Sequence, residues 1–144
     1  MRILVGVDGS EAADRATDFA AKLTKALGGS LKILHVVSSG NLALDELQDY
    51  ALREHVTAND VLNTFADEKV TAARQRVEAL GVSSVETEAP YGDIAESIIE
   101  TARRDSIDLI VLGKRGRGRL SGLILGSTSQ KVVAVAPCAV TVVP

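Results

Sequence analysis

Ile107-Asp108-Leu109-Ile110-Val111-Leu112-Gly113-Lys114-Arg115-Gly116 is the stretch from which the architecture of this chain follows. Its apolar run lacks polar alternation, the pattern of a strand covered on both faces, and it stops on a glycine. Further on, Gly126-Ser127 leads into Thr128-Ser129-Gln130-Lys131-Val132-Val133, which reads as the opening of a helix. A strand that ends in glycines and re-enters a helix through Gly-Ser-Thr-Ser offers backbone N–H groups to an anion. The hydroxyls of Ser127, Thr128 and Ser129 and the basic Lys114, Arg115, Arg117 and Arg119 share this segment, which points to a nucleotide phosphate. The spacing Gly113-x2-Gly116-x9-Gly126-Ser127 is not a Walker A loop, in which a lysine follows the last glycine. Nor does a Gly-x-Gly-x-x-Gly stand at the first strand-to-helix turn, where a dinucleotide fold carries it.

Outward from this stretch the same order of elements recurs. Ile3-Leu4-Val5-Gly6-Val7 is an apolar run that halts at Asp8-Gly9-Ser10. Ser10 suits a helix N-cap, with Glu11 and Asp14 in the first turn where the helix dipole favours acids. Ala16, Phe19, Ala20, Leu23 and Leu27 form a helical stripe that Gly28-Gly29 ends. Leu31 to Val37 is a second strand, and Ser38 to about Leu44 reads as loop. A long helix is clearest from Val61 to Leu80, with Val61, Phe65, Val70, Ala73, Val77 and Leu80 on or near one side. The segment Leu47 to Val56 is open between an earlier turn of that helix, a separate helix and a lid. Val82 to Ala89 alternates as an edge strand, and Asp93-x-x-Glu96 opens a helix with Ile94, Ile98 and Ile99 on one side. A last helix from about Ser127 to Val135 is cut by Pro137, and Ala139 to Val143 is the final strand. Strands alternating with helices, without internal repeats, predict a three-layer α/β domain over residues 1–144 with parallel strands and right-handed crossovers.

Composition agrees. A chain of 144 residues suits one domain, and with 46% apolar but only 3% aromatic residues its core must be Val, Ile, Leu and Ala. The single cysteine, Cys138, excludes an internal disulfide and argues for a reducing compartment, so a cytoplasmic location is expected. Met1-Arg2-Ile3-Leu4 enters the first strand directly, so no signal peptide is expected. No apolar run approaches the roughly 20 residues of a membrane span. A net charge of −3 gives no reason to expect nucleic acid as a partner.

Ile3 to Ser10, Leu34-His35-Val36, Ile110 to Gly116, Gly126 to Val132 and Ala136-Pro137-Cys138, taken in order, resemble the universal stress protein family. The glycine spacing resembles its ATP-binding branch, and the likeness covers essentially the whole chain. It implies a Rossmann-like five-stranded sheet in the order 3-2-1-4-5, with strands 1 and 4 flanking the crevice where such sheets bind ligands. It implies that the main chain at Val36 holds adenine, that Asp8 and Gly113 meet the ribose, and that Gly116, Gly126, Ser127, Thr128 and Ser129 hold phosphates. Arg115 joins them as a basic candidate. It implies ATP, with Mg²⁺ arriving on the nucleotide, and a regulatory role in a stress response. It also implies a homodimer formed through the C-terminal strand; the downstream protein partner is not named by any motif. The chemistry is consistent: backbone amides can read adenine in an apolar slot, a carboxylate accepts from ribose hydroxyls, and a helix N-terminus attracts phosphate.

Other readings stand beside this one. A slow ATPase would use the loop arginines to neutralise charge, but no residue offers itself as a base, since Asp8 is expected at the ribose. AMP or a cyclic nucleotide would use the same adenine and ribose contacts with fewer phosphate donors. Asp8 also suits a simple turn, and the glycines a loop that merely admits a helix. His35 reads as a packing or hydrogen-bonding residue and Cys138 as a small hydrophobe. No His/Cys cluster has metal-ligand spacing.

Overall fold

Strand and helix alternate along the chain in the expected order. The structure, a computed structural model, describes residues 1–38, 44–114 and 125–144. The elements are β1 (Arg2–Gly6), α1 (Glu11–Leu27), β2 (Ser30–Leu34), α2 (Leu44–Arg53), α3 (Ala58–Ala79), β3 (Val85–Glu88), α4 (Ile94–Arg104), β4 (Leu109–Gly113), α5 (Ser127–Val135) and β5 (Ala139–Val143). The sheet order is β3-β2-β1-β4-β5, and every pairing is parallel. Val5 of the central strand lies level with Ile33 on one side and Val111 on the other. No described helix is long and apolar enough to cross a membrane.

Each face of the sheet carries its own core, because side chains alternate along a strand. Ile3, Val5, Leu31, Ile33, Leu109 and Val111 pack with Ala16, Ala20 and Val77 under α1 and α3. Leu4, Leu34, Ile110 and Leu112 pack with Ile98, Ala102 and Val132 under α4 and α5.

The helix ends follow local chemistry. Ser10 caps α1 by accepting from the Ala13 amide at 3.2 Å, and Gly28 closes it in the left-handed conformation at φ 60°. Thr57 and Asp60 form a capping box on α3, and Asp93 caps α4. The segment left open in the sequence is a separate helix, α2. It packs Leu47 and Ala51 against Val61 of α3.

Two helical stripes differ from expectation. On α1 the buried face is Ala12, Ala13, Ala16, Thr17, Ala20, Ala21 and Thr24, while Phe19 is 40% exposed and Leu27 50% exposed. Small side chains let α1 lie close to the sheet, a gap that Phe19 cannot enter. The buried threonines are satisfied within the helix, donating to the carbonyls of Ala13 and Ala20 at 2.8 and 2.7 Å. On α3, Ala66 is buried and Phe65 turns outward, its ring 6.3 Å from that of Tyr50 on α2. The docking of α2 draws Phe65 off the sheet-facing stripe.

A candidate nucleotide site at the carboxyl ends of the strands

The neighbouring strands β1 and β4 lead into helices on opposite faces of the sheet, so a crevice opens between their carboxyl ends. Asp8 stands on one side of it. Its Oδ1 accepts from the Ser10 amide at 2.9 Å, and Gly9 between them takes φ 81°, a turn geometry that favours glycine. Asp8 thus serves as the turn residue that the sequence also allowed, a half-buried carboxylate at the mouth.

Gly113 ends β4 on the other side, and its lack of a side chain has a reason the motif did not reveal. A Cβ there would lie 2.7 Å from the carbonyl carbon and 2.8 Å from the carbonyl oxygen of Ala12. The end of β4 thus passes directly against the first turn of α1. This contact joins segments from opposite ends of the chain and brings Gly113 to the Asp8–Ser10 turn.

Backbone bonds tie Lys114, just past the end of β4, to β5 and to the residue before α5. The Lys114 amide donates to Val143 O at 2.6 Å, and the Lys114 carbonyl accepts from the Gly126 amide at 2.9 Å. The candidates Arg115 and Gly116, with Arg117 and Arg119, lie outside the described residues. Gly126 is the extended N-cap of α5 (φ −66°, ψ 158°); it supplies no side-chain cap, and the first turn of α5 contains no acid. Among the described residues no hydrogen bond satisfies the Ser127, Thr128 and Ser129 amides, which form the positive end of the α5 dipole and are open to that extent.

The three hydroxyls divide. Ser127 is exposed and Thr128 half-buried at this open end, whereas Ser129 is 4% exposed and donates to the Gly113 carbonyl at 3.0 Å. Ser129 therefore ties α5 to the end of β4, a role that glycine spacing does not signal. Lys131, one turn into α5, is engaged by Asp93 at 3.2 Å and Glu96 at 3.5 Å on α4. The hydrogen bond to Asp93 raises the Lys131 pKa, while the Glu96 amide and then Lys131 lower that of Asp93.

Val36, just beyond β2, is 5% exposed. Around it the main chain alternates: His35 and Val37 donate toward the β3 side, to Glu88 O at 3.0 Å and Pro90 O at 2.8 Å. Leu34 O accepts from the Val7 amide on the β1 side. Val36 must therefore face the β1 side, where β1 has already ended. The Val7 carbonyl is taken by the buried ring of His35, whose Nδ1 lies 2.8 Å away and must carry the proton because a carbonyl only accepts. Among the described residues the N–H and C=O of Val36 have no hydrogen-bond partner. Buried main-chain groups are paired in the great majority of cases, and a donor and an acceptor side by side, without a partner among the described residues, suit a planar heterocycle with a complementary edge. Among the described residues no cluster of three or more His, Cys, Asp or Glu could hold a metal ion.

Comparison with known proteins matches the whole domain. The model of the universal stress protein family aligns with residues 1–144. A universal stress protein of Thermus aquaticus, from the 3′ region of its QAH/OAS sulfhydrylase, is 35% identical over 149 residues, covering 98% of this chain and 96% of that protein. The structure of universal stress protein UspA from Lactobacillus plantarum superposes with a TM-score of 0.80 at 31% identity, covering 100% and 97% of the two chains. A universal stress protein in complex with cAMP superposes with a TM-score of 0.70 at 24% identity, covering 100% and 97%, which shows a common fold.

Proposed function

The chain belongs to the universal stress protein family, and from that premise we propose that it binds an adenine nucleotide, ATP foremost, and acts as a nucleotide-responsive regulator in a stress response. The observation that carries this reading is the main chain of buried Val36 at the mouth of the crevice, which has no partner among the described residues. Adenine bonded there would place its ribose toward Asp8 and Gly113. Its phosphates would then run toward Gly126, Ser127 and Thr128 at the open end of α5 and toward Arg115 and Gly116. Mg²⁺ in this reading travels with the triphosphate. The lone cysteine suits a cytoplasmic setting.

Cyclic and monophosphate nucleotides are the second reading, favoured by the structural neighbour that is in complex with cAMP. They would use the Val36 and Asp8 contacts and fewer donors on α5. Weak ATP hydrolysis needs a base, and none of the described residues at the mouth suits that role better than Asp8, which this reading commits to the ribose.

Ser127→Pro is the sharpest test. Proline is favoured at the first position of a helix, and the extended Gly126 before it is compatible with a following proline. The substitution deletes the Ser127 amide N–H together with its hydroxyl, both on the phosphate side in this reading, without disturbing α5. Calorimetric titration of Mg-ATP, AMP and cAMP into nucleotide-stripped protein should show ATP binding best, and Ser127→Pro should weaken ATP by at least about tenfold, the equivalent of one hydrogen bond to a charged group. Asp8→Ala should weaken all three ligands by at least about tenfold through the ribose. If the wild type releases no heat at millimolar nucleotide, the reading fails.

A further inference from the structure

Helix α3 brings a cation to the mouth of the crevice that no motif announces. A Cβ built on Gly9 would meet Cε of Lys69 at 3.6 Å, so the end of the lysine stem lies beside Gly9 in the Asp8–Gly9–Ser10 turn. Its placement follows from how α3 packs. Ala66 and Val70 are buried, and Arg76, two turns beyond Lys69, grips α1. The guanidinium is bidentate on Asp18, at 2.5 Å from Nε and 2.8 Å from Nη2, and stands 3.5 Å from Asp14. Residues seven apart share a helix face. The face that holds the body of α1 through Arg76 thus carries Lys69 past the Ser10 cap, to the carboxyl end of the sheet.

We propose that Lys69 belongs to the nucleotide site and contacts the anionic part of the ligand, so that α3 contributes a charge that favours phosphorylated over unphosphorylated adenine compounds. The inference rests on the nucleotide reading above. A lysine suits this role because its ammonium is a point charge on a flexible four-carbon stem, able to follow a phosphate whose position differs between nucleotides. It stands on the α1 side of the crevice, across from the amides of α5, so the two would approach a bound phosphate from opposite faces of the sheet.

The experiment titrates adenosine, AMP and Mg-ATP into wild type, Lys69→Met and Lys69→Arg, with thermal melts of each variant to verify folding. Lys69→Met should weaken AMP and ATP by about tenfold and leave adenosine within about twofold, while Lys69→Arg retains most of the phosphate preference. The salt dependence of ATP binding should also be shallower in Lys69→Met. If wild type binds and Lys69→Met binds every ligand equally well, the lysine proposal alone is overturned. If adenosine and ATP weaken alike, the lysine shapes the turn without contacting the ligand, and the proposal is again overturned. A wild type that binds none of the three sinks both this inference and the nucleotide reading.

Discussion

At Gly113 one methyl group decides the packing of two elements. Alanine there would press its Cβ onto the Ala12 backbone at 2.7 Å, and backbone cannot rotate away as a side chain can. Gly113→Ala should lose roughly 1–3 kcal/mol of stability by overpacking, whether or not nucleotide is present, as read from urea denaturation. Loss of binding in that variant would therefore report on the fold. Ser129→Ala tests the neighbouring contact. It removes the donor 3.0 Å from the Gly113 carbonyl and should cost about 1 kcal/mol, with adenosine affinity unchanged. The glycine and the serine are both visible in the sequence as motif positions. Their partners, Ala12 and the Gly113 carbonyl, are not, because only the folded chain sets them face to face.

At the scale of elements, a charge cluster locks β2, β3 and α4 together. Lys32 is 13% exposed and bonds to Asp105 at the C-cap of α4 and to Glu88 on β3 at 3.0 Å. Arg104 closes the ring on Glu88 at 2.6 Å and on Asp105 at 2.8 Å. The hydrogen bonds from Arg104 and then Lys32 hold the Asp105 carboxyl far below its ordinary value. For Glu88, burial acts in the opposite sense, but Arg104 and Lys32 outweigh it and the pKa is lowered. Burial likewise opposes the charge on Lys32, yet Asp105 and Glu88 raise its pKa. The carboxylates therefore contribute stability that is present above their unfolded values of about 4 and is lost as pH falls through the lower folded values. Lys32 contributes below its unfolded value of about 10.4 and loses that contribution as pH rises through the higher folded one. Lys32→Met should cost roughly 1–3 kcal/mol at neutral pH by removing the more buried of the two cations that Glu88 and Asp105 share, leaving them to Arg104. That penalty should shrink toward acid pH, as followed by melts across the range. A pH-independent penalty would mean that lost packing of the lysine stem, and not its charge, is responsible.

For the molecule as a whole, the outer edge of β5 bears on assembly. Val143 O accepts from the Lys114 amide, so the alternation of a parallel ladder turns the main chain of Ala139, Thr141 and Val143 toward β4. The same alternation turns that of Val140 and Val142 away, and among the described residues no strand pairs with that side. Val133 and Val135 on the adjacent α5 are 49% and 53% exposed. An open edge beside exposed valines suits a second copy of the chain, the dimer that the family resemblance implies. Val142→Pro deletes one outward N–H and leaves the β4 ladder bonded. Sedimentation velocity should show a dimeric wild type and a shift of Val142→Pro toward monomer. A monomeric wild type would remove the dimer from the account.

The sequence by itself determined the alternation of strands and helices, the caps at Ser10 and Asp93, the end of α1 at Gly28 and the opening of α5 at Ser127. These rest on periodicity and on hydrogen bonds within a few residues, so a local stretch contains all that is needed. The strand order entered through family resemblance, since nothing local states which strand lies beside which. Tertiary structure alone decided that Phe19 and Phe65 turn outward and that Ser129 points to Gly113. It alone decided that Val36 has no main-chain partner among the described residues and that Lys69 reaches the Asp8 turn. Each of these depends on how closely two elements distant in sequence approach, and that distance is set by the combined packing of both faces of the sheet.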